Sequence, residues 1–274
     1  MTRVAHISDL HFGRIEPSVA EALIADLAAH PPALVIISGD LTQRARVGQY
    51  QAAAEYLKRL PLPQLIIPGN HDVPLWNVVR RFFAPAKRFQ KYIAADLNPV
   101  WRGEGLIVVG VNTARSFTRT SGWISAGQLQ AIQAAFAAAP DSARRVLVTH
   151  HPFIPPPSRP DADMLRRSSA TLADLEACRV DVLLAGHLHL AYHDDVRVFH
   201  RDAKQSILSI QAGTASSTRL RGEPNSYNLI ALDGGDVQIN VRTWTGERFE
   251  QSVEKRYRRV EGIWQLQNAG ALLR

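Results

Sequence analysis

The sequence predicts an α/β protein in which a mixed sheet faces a second, more antiparallel sheet, with helices on the outside. Three observations carry this. Short, continuous apolar runs such as residues 34–37 and 65–67 read as strands buried on both faces. Up to about residue 190 such runs alternate with helical segments, the signature of βαβ units. Beyond it, strand-like runs follow one another without helices between them.

The elements follow in order. Residues 4–7 form a short β-branched run, and 19–29 are Ala/Leu-rich with helical apolar spacing. Residues 34–37 are a strand, 50–60 a helix, and 65–67 a strand that stops at Pro68-Gly69. Segment 77–104 spaces Arg80, Arg81, Lys87, Arg88 and Lys91 among Phe82, Phe83, Phe89 and Tyr92, and reads as a basic amphipathic helical insert. Residues 106–111 are a strand. Ser125 is an N-cap with Gln128 as its capping-box partner, opening a helix to about Ala138. Strands at 146–149 and 180–184 flank an irregular loop from Pro155 to Ser169 and a helix at 171–177. Residues 192–200, 206–211, 227–232 and 237–244 read as strands, the last two joined by the hairpin signal Asp233-Gly234-Gly235-Asp236.

The bulk composition narrows the function classes. The chain has 274 residues, 46% of them hydrophobic and 21% charged, as in ordinary globular proteins. One domain over 1–274 is expected, with strands at about 220–262 completing the second sheet. Cys178 is the only cysteine, so no internal disulfide forms and cysteine-rich zinc sites are excluded. Polar residues interrupt the N-terminus too soon for a signal peptide, and no apolar run approaches the roughly 20 residues of a membrane span. A soluble, cytoplasmic protein is expected, with peripheral membrane attachment as the alternative. The net charge of +7 and pI of about 9.9 favour anionic partners: phosphorylated molecules, nucleic acid or an acidic membrane face. The densest basic stretch is Lys255-Arg256-Tyr257-Arg258-Arg259.

Five polar clusters each end an apolar run. They are Asp9-Leu10-His11, Gly39-Asp40, Gly69-Asn70-His71-Asp72, His150-His151 and Gly186-His187-Leu188-His189. Loops beyond the carboxyl ends of strands gather at one edge of an open α/β sheet, so the clusters are expected to converge. Together they supply carboxylates, an amide and several imidazoles without a thiolate. That mix suits two divalent metals. The residues alone leave the choice between His150 and His151 open.

The ordered pattern D-x-H, G-D, G-N-H-D, H and G-H-x-H resembles the signature of the calcineurin-like metallophosphoesterase superfamily, over residues 4 to about 215. The resemblance implies a four-layer α/β-β/α sandwich, two mixed sheets flanked by helices. It implies that Asp9, His11 and His189 hold one metal, that Asn70, His150 and His187 hold another, and that Asp40 bridges them. His150 is preferred to His151 on the same ground. It implies a catalytic imidazole at His71, near the leaving-group oxygen, with Asp72 as the carboxylate that orients it. His6 and His30 match no motif position and are expected to be structural. The metals implied are Mn, Fe, Zn or Co, and the implied reaction is hydrolysis of a phosphoric ester by a hydroxide shared between them.

The stretches Ser8–Gly13 and Gly39–Thr42, with Asn112-Thr113 and Gly122-Trp123, are most similar to small bacterial phosphodiesterases, including class III cyclic nucleotide and glycerophosphodiester enzymes. A small phosphodiester, cyclic nucleotide-like, is therefore the expected substrate. Two alternatives stand beside it: a membrane-associated hydrolase of a lipid-linked pyrophosphate such as UDP-2,3-diacylglucosamine, and a nuclease or nucleic-acid-binding protein. Arg14, Asn112, Arg115 and His151 are the candidate substrate contacts, with Arg119 near them, and residues 158–167 are a candidate covering loop.

Overall fold

Residues 2–267 are described in a computed structural model of the chain. The chain begins β1 (Thr2–Ile7), α1 (Pro17–Ala29), β2 (Leu34–Ile37), α2 (Val47–Leu57), β3 (Gln64–Ile66). It continues α3 (Val78–Phe83), α4 (Lys87–Tyr92), β4 (Val100–Gly103), β5 (Leu106–Val111), α5 (Ala126–Ala137), β6 (Arg144–Thr149), α6 (Ser168–Glu176) and β7 (Val182–Ala185). It ends β8 (Tyr192–Asp195), β9 (Leu208–Gln211), β10 (Ser226–Asp233), β11 (Asp236–Trp244), β12 (Phe249–Val260) and β13 (Ile263–Gln267).

The strands form a seven-stranded sheet, ordered β13-β12-β11-β10-β1-β2-β3, and a six-stranded sheet, ordered β4-β5-β6-β7-β9-β8. Both are mixed. β1, β2 and β3 run parallel, while β10 joins β1 antiparallel. β5, β6, β7 and β9 run parallel, with antiparallel β4 and β8 at the edges.

Alternation along the strands builds four layers. Val4, Leu34, Ile36 and Leu65 lie in one buried layer with Val108, Val146, Leu184 and Ile210 of the other sheet. Their neighbours Ala5, Ile7, Val35 and Ile37 meet Val19, Leu23 and Leu27 of α1 and Tyr50 of α2. On the far side Ile107, Val109 and Leu147 meet Ile132 and Phe136 of α5 and Leu172 and Leu175 of α6. Each such Val, Leu, Ile or Phe side chain removed from water stabilises the fold by about 1.5–3 kcal/mol. The sandwich of two mixed sheets flanked by helices is the architecture expected from the sequence. Ser125 caps α5 with the reciprocal Gln128 contacts, and residues 233–236 close the β10–β11 hairpin.

Three expectations change. The strands beyond residue 220 extend the sheet that β1 begins, because β10 pairs with β1 rather than founding a second sheet. The 255–259 basic stretch lies in β12, where alternation sends Tyr257 into the core while Arg258 pairs with Asp236 and Arg259 with Asp181. It is not one continuous patch. Segment 77–104 is two short helices and an edge strand, and α3 is inverted relative to a basic-outward helix. Arg81 is buried and donates to the carbonyls of Pro74, Arg115, Ser116 and Thr118, so Phe82 and Phe83 face outward, at 57% and 87% exposure. Four otherwise orphaned carbonyls outweigh the burial of two rings. Among the described residues no helix is long and apolar enough to cross a membrane.

Candidate metal centre

The polar clusters follow β1, β2, β3, β6 and β7 at their carboxyl ends, and the structure brings them together. Loop-to-loop hydrogen bonds hold them: Asp9 N–H donates to the Gly39 carbonyl (3.0 Å), His11 N–H to the Asp40 carbonyl (2.9 Å) and Gly186 N–H to the His150 carbonyl (3.1 Å). Gly186 is required by close approach. A Cβ there would stand 1.8 Å from Ser8 Oγ and 2.6 Å from Asp9 Oδ2. Asp9, His11, Asp40, His187 and His189 all adopt positive φ, between 50° and 75°. Left-handed backbone is uncommon outside glycine and concentrates where function requires an aimed side chain.

Two acceptor groups result. In the first, His11 Nε2 lies 3.0 Å from His189 Nε2 and 3.5 Å from Asp9 Oδ1, and His189 Nε2 lies 3.1 Å from Asp9 Oδ1. His189 Nδ1–H donates to the Arg219 carbonyl (2.6 Å), so its Nε2 presents a lone pair. Asp9 Oδ2 accepts from His187 N–H (2.9 Å), while Oδ1 is buried without a hydrogen-bond partner. In the second, Asn70 Oδ1 lies 3.0 Å from both His150 Nε2 and His187 Nδ1. His150 Nδ1–H donates to the Ser38 carbonyl (2.8 Å), so that Nε2 is the nitrogen that gives up its proton and then offers a lone pair. Asp40 stands between the groups, with Oδ2 3.7 Å from His11 Nε2 and Oδ1 3.4 Å from His150 Nε2.

Lone pairs aimed at one another repel unless a cation lies among them. The orphaned Asp9 Oδ1 and the N/O donor set therefore fit a cation in each group. In the absence of a cation, a proton on His150 takes part of its place. Burial opposes ionisation of Asp9 and Asp40, yet His189 beside Asp9 and His150 beside Asp40 outweigh it and hold both carboxyls well below the usual range. Burial opposes protonation of His150, and Asp40 outweighs it, pushing the imidazole up to about 9. Burial lowers His11 to about 4 and, with the His150 charge, His187 to about 3.

His71 is half-buried. Its Nδ1–H donates to the Gln43 carbonyl (2.9 Å), and its Nε2 lies 3.2 Å from Arg219 Nη1. Asp72 does not orient it, contrary to expectation. The Asp72 carboxylate accepts from the N–H groups of Leu41, Thr42 and Gly69 and from Thr42 Oγ1, at 2.9–3.1 Å, and so fastens the Asp40 loop to the Asn70 turn. Burial and the neighbouring Asp40 charge raise it to about 7.

The expected substrate contacts separate. Asn112 and Arg115 are used inside the fold: Asn112 Oδ1 accepts from Ala114 N–H, and Arg115 donates to Gln128 and to the Asn112 and Ala114 carbonyls. Neither lines the cavity of about 130 Å³ over the acceptor groups. His151 is buried, its Nδ1 2.7 Å from Thr113 Oγ1 and its Nε2 unpartnered beside His150 and His187. Arg14 lines a neighbouring cavity. His6 is buried against Ser38, and His30 contacts Asp26 at the end of α1. The cavity is instead lined by Arg159 and Asp163 from the expected covering loop, and by Thr120, Arg219 and Arg221. Sequence reasoning missed the last three. For Arg219 and Arg221 the available signal was a sixth polar run after an apolar strand, residues 213–221, whose Thr214 donates to the Asp9 carbonyl (2.7 Å).

A sequence model of calcineurin-like phosphoesterases matches residues 2–191. The chain is 26% identical over 262 residues to a probable cyclic nucleotide phosphodiesterase of Pseudoalteromonas sp., covering 89% of this chain and 94% of that one. It is 38% identical over 81 residues to a glycerophosphodiester phosphodiesterase of Enterobacter lignolyticus, covering 25% and 29%. Among solved structures, a dimetal phosphatase from Danio rerio superposes with TM-score 0.66 at 14% identity, covering 88% of this chain and 96% of that one. A purple acid phosphatase from yellow lupin gives 0.68 at 10% identity, covering 92% and 53%. The structural likenesses concern the fold.

Proposed function

Because the chain belongs to the calcineurin-like phosphoesterase family and is a phosphoric ester hydrolase, we propose that it hydrolyses a small phosphodiester, cyclic nucleotide-like, at a dinuclear metal centre. The observation that carries this is Asp40, whose two oxygens turn toward two separate groups of convergent acceptors. In this reading Asp9, His11 and His189 hold one cation, Asn70, His150 and His187 the other, and Asp40 both. When bound, the cations supply Lewis-acid stabilisation and an activated water nucleophile.

The chain's own residues do the rest. The carbonyls of Ser38 and Arg219 fix the tautomers of His150 and His189 so that each offers Nε2. The Gln43 carbonyl fixes His71 with its proton on Nδ1, which leaves Nε2 to take up a proton and pass it to the departing oxygen. Arg219 Nη1, beside His71 and His11, meets the negative charge that develops on the phosphoryl group. Asp72 keeps Asp40 and Asn70 in register. Manganese, iron, zinc and cobalt all suit this donor set. The test is metal reconstitution followed by assay on 3′,5′- and 2′,3′-cyclic nucleotides, bis(p-nitrophenyl) phosphate, p-nitrophenyl phosphate and glycerophosphodiesters. Turnover of the diesters with two metals per chain is expected. Two bound metals without turnover of any phosphate ester would remove the reading.

One observation favours a second substrate. Trp76, Val79, Phe82 and Phe83, which follow the His71 turn, are 57–87% exposed, as is suitable for contact with a lipid surface. A lipid-linked pyrophosphate such as UDP-2,3-diacylglucosamine fits that edge. Sedimentation with anionic vesicles, lost in Trp76→Ser/Phe83→Ser, tests it.

A further inference from the structure

Next to the metal-ligand groups lies a second cavity, of about 470 Å³, with Arg14, Arg44, Arg46 and Arg219 in its wall and no carboxylate among its lining residues. Some arginines of the chain are matched to acids, as Arg59 is to Glu21, Arg242 to Asp26 and Arg258 to Asp236. Arg14, Arg44 and Arg46 make no ion pair among the described residues. Four guanidinium groups around one cavity repel one another, and an anion placed among them relieves that repulsion through charge-assisted hydrogen bonds. Gln49 adds a neutral donor. Its Oε1 accepts from Arg44 N–H (2.9 Å), and its Nε2 lies where a Cβ on Gly13 would come within 2.2 Å, at the cavity wall.

The cavity continues the reaction site. Arg219 lines both spaces, with Nη1 3.2 Å from His71 Nε2, and Gln43, which lines the second, holds His71 through its carbonyl. His71 faces the leaving oxygen in the reading proposed above, so the arginine cavity receives the leaving half of the substrate. Resting on that reading, we infer that the preferred substrate is a diester whose leaving alcohol is itself phosphorylated, and that Arg14, Arg44 and Arg46 bind this second phosphate. One anion-binding cavity then serves specificity while the metals serve chemistry. Because the three arginines are exposed, the preference weakens with salt.

The metal-loaded full chain is assayed on the dinucleotide TpT and on the same dinucleotide carrying a terminal phosphate, pTpT and TpTp. At low salt at least one phosphorylated form should exceed TpT in kcat/KM by about tenfold, the scale of one charge-assisted contact. Arg44→Ala/Arg46→Ala should bring that ratio close to one, and Arg44→Lys/Arg46→Lys should retain part of it. Inorganic pyrophosphate, titrated calorimetrically into the metal-loaded protein, should bind about tenfold more weakly to the alanine double variant. A wild-type ratio of one, or a ratio that the double variant leaves unchanged, overturns the inference. If none of the three dinucleotides is cleaved while a cyclic nucleotide or bis(p-nitrophenyl) phosphate is, the inference is overturned and the phosphodiesterase reading stands. If no diester of either set is cleaved, that reading fails, and pyrophosphate decides the cavity alone: a weakened affinity in the double variant upholds an anion site there, and an unchanged one removes it.

Discussion

The Nδ1–H of His71 donates to the main-chain carbonyl of Gln43 at 2.9 Å, and no carboxylate takes part. Orientation by a main-chain atom is independent of the side chain that carries it. Gln43→Ala should therefore leave turnover within about threefold of wild type. His71→Ala should keep both metals and lose roughly 10²–10⁴-fold in kcat, most severely for poor leaving groups. Metal counting and a leaving-group series distinguish the two. A halved metal content in His71→Ala would contradict its proposed role as a non-ligand.

Asp72 accepts four hydrogen bonds in a buried setting, so its loss acts on stability before chemistry. Asp72→Ala strands three amides and a hydroxyl, and should cost roughly 3 kcal/mol or more. For a chain of this size that is a melting temperature lower by about 6–12 °C. Calorimetric scans check this. An unchanged melting temperature with selective loss of kcat would restore Asp72 to the catalytic step.

Asp40→Ala removes the one side chain whose oxygens address both groups. It should abolish measurable phosphoesterase activity and bring bound metal below one ion per chain, with the far-ultraviolet circular dichroism spectrum retained. Elemental analysis of the purified variant reads the result. Full activity with two ions would sink the bridging assignment.

Gly186→Ala places a methyl group 1.8 Å from Ser8 Oγ and 2.6 Å from Asp9 Oδ2. The backbone of two loops must move, at about 1–3 kcal/mol, and Asp9 moves with them. The first metal should bind at least about tenfold more weakly while the second, held by Asn70, His150 and His187, is less affected. Metal titration followed by competition with a chelator reads both affinities.

The metal-free protein should lose stability as pH rises between about 7 and 9. His150 is raised from 6.5 to about 9 in the fold, so its stabilising proton is fully present below 6.5 and gone above about 9. Asp72, raised from 3.8 to about 7, contributes a loss of the same sign as pH rises from 3.8 to about 7, and because it is still half protonated at the lower edge of the window it adds to the fall there. A cation replaces the proton between Asp40 and His150. Loaded protein should therefore melt independently of pH over the same range, and loading at pH 7 should release a proton. Calorimetry in two buffers of different ionisation enthalpy measures the release.

Much of this was legible from the sequence because parallel α/β sheets impose a rule: strand ends on one edge converge. Asp9, Asp40, Asn70, His150 and His187 each follow an apolar run, so their meeting could be inferred without knowing any distance. Pairing across sheets follows no local rule. Nothing in residues 226–233 says that they will lie beside β1. Nor does helical spacing reveal that four carbonyls wait for Arg81, which turns α3 over. The role of Asp72, and Arg219 altogether, were hidden for related reasons. The partners of Asp72 are backbone amides, which every residue has, and Arg219 reaches His71 across 148 positions of chain.

The left-handed turns at Asp9, His11, Asp40, His187 and His189 bear on how such a centre is transplanted or inherited. A donor set held by relaxed loops can be moved to a new scaffold by copying side chains. Here five of the proposed donors owe their aim to main-chain torsions that their own residues resist, enforced by two sheets meeting at one rim. Glycine at any of the five would ease the torsion and delete the donor together. Gradual drift thus has few routes that keep the centre half-built, and a working copy requires the rim as well as the letters.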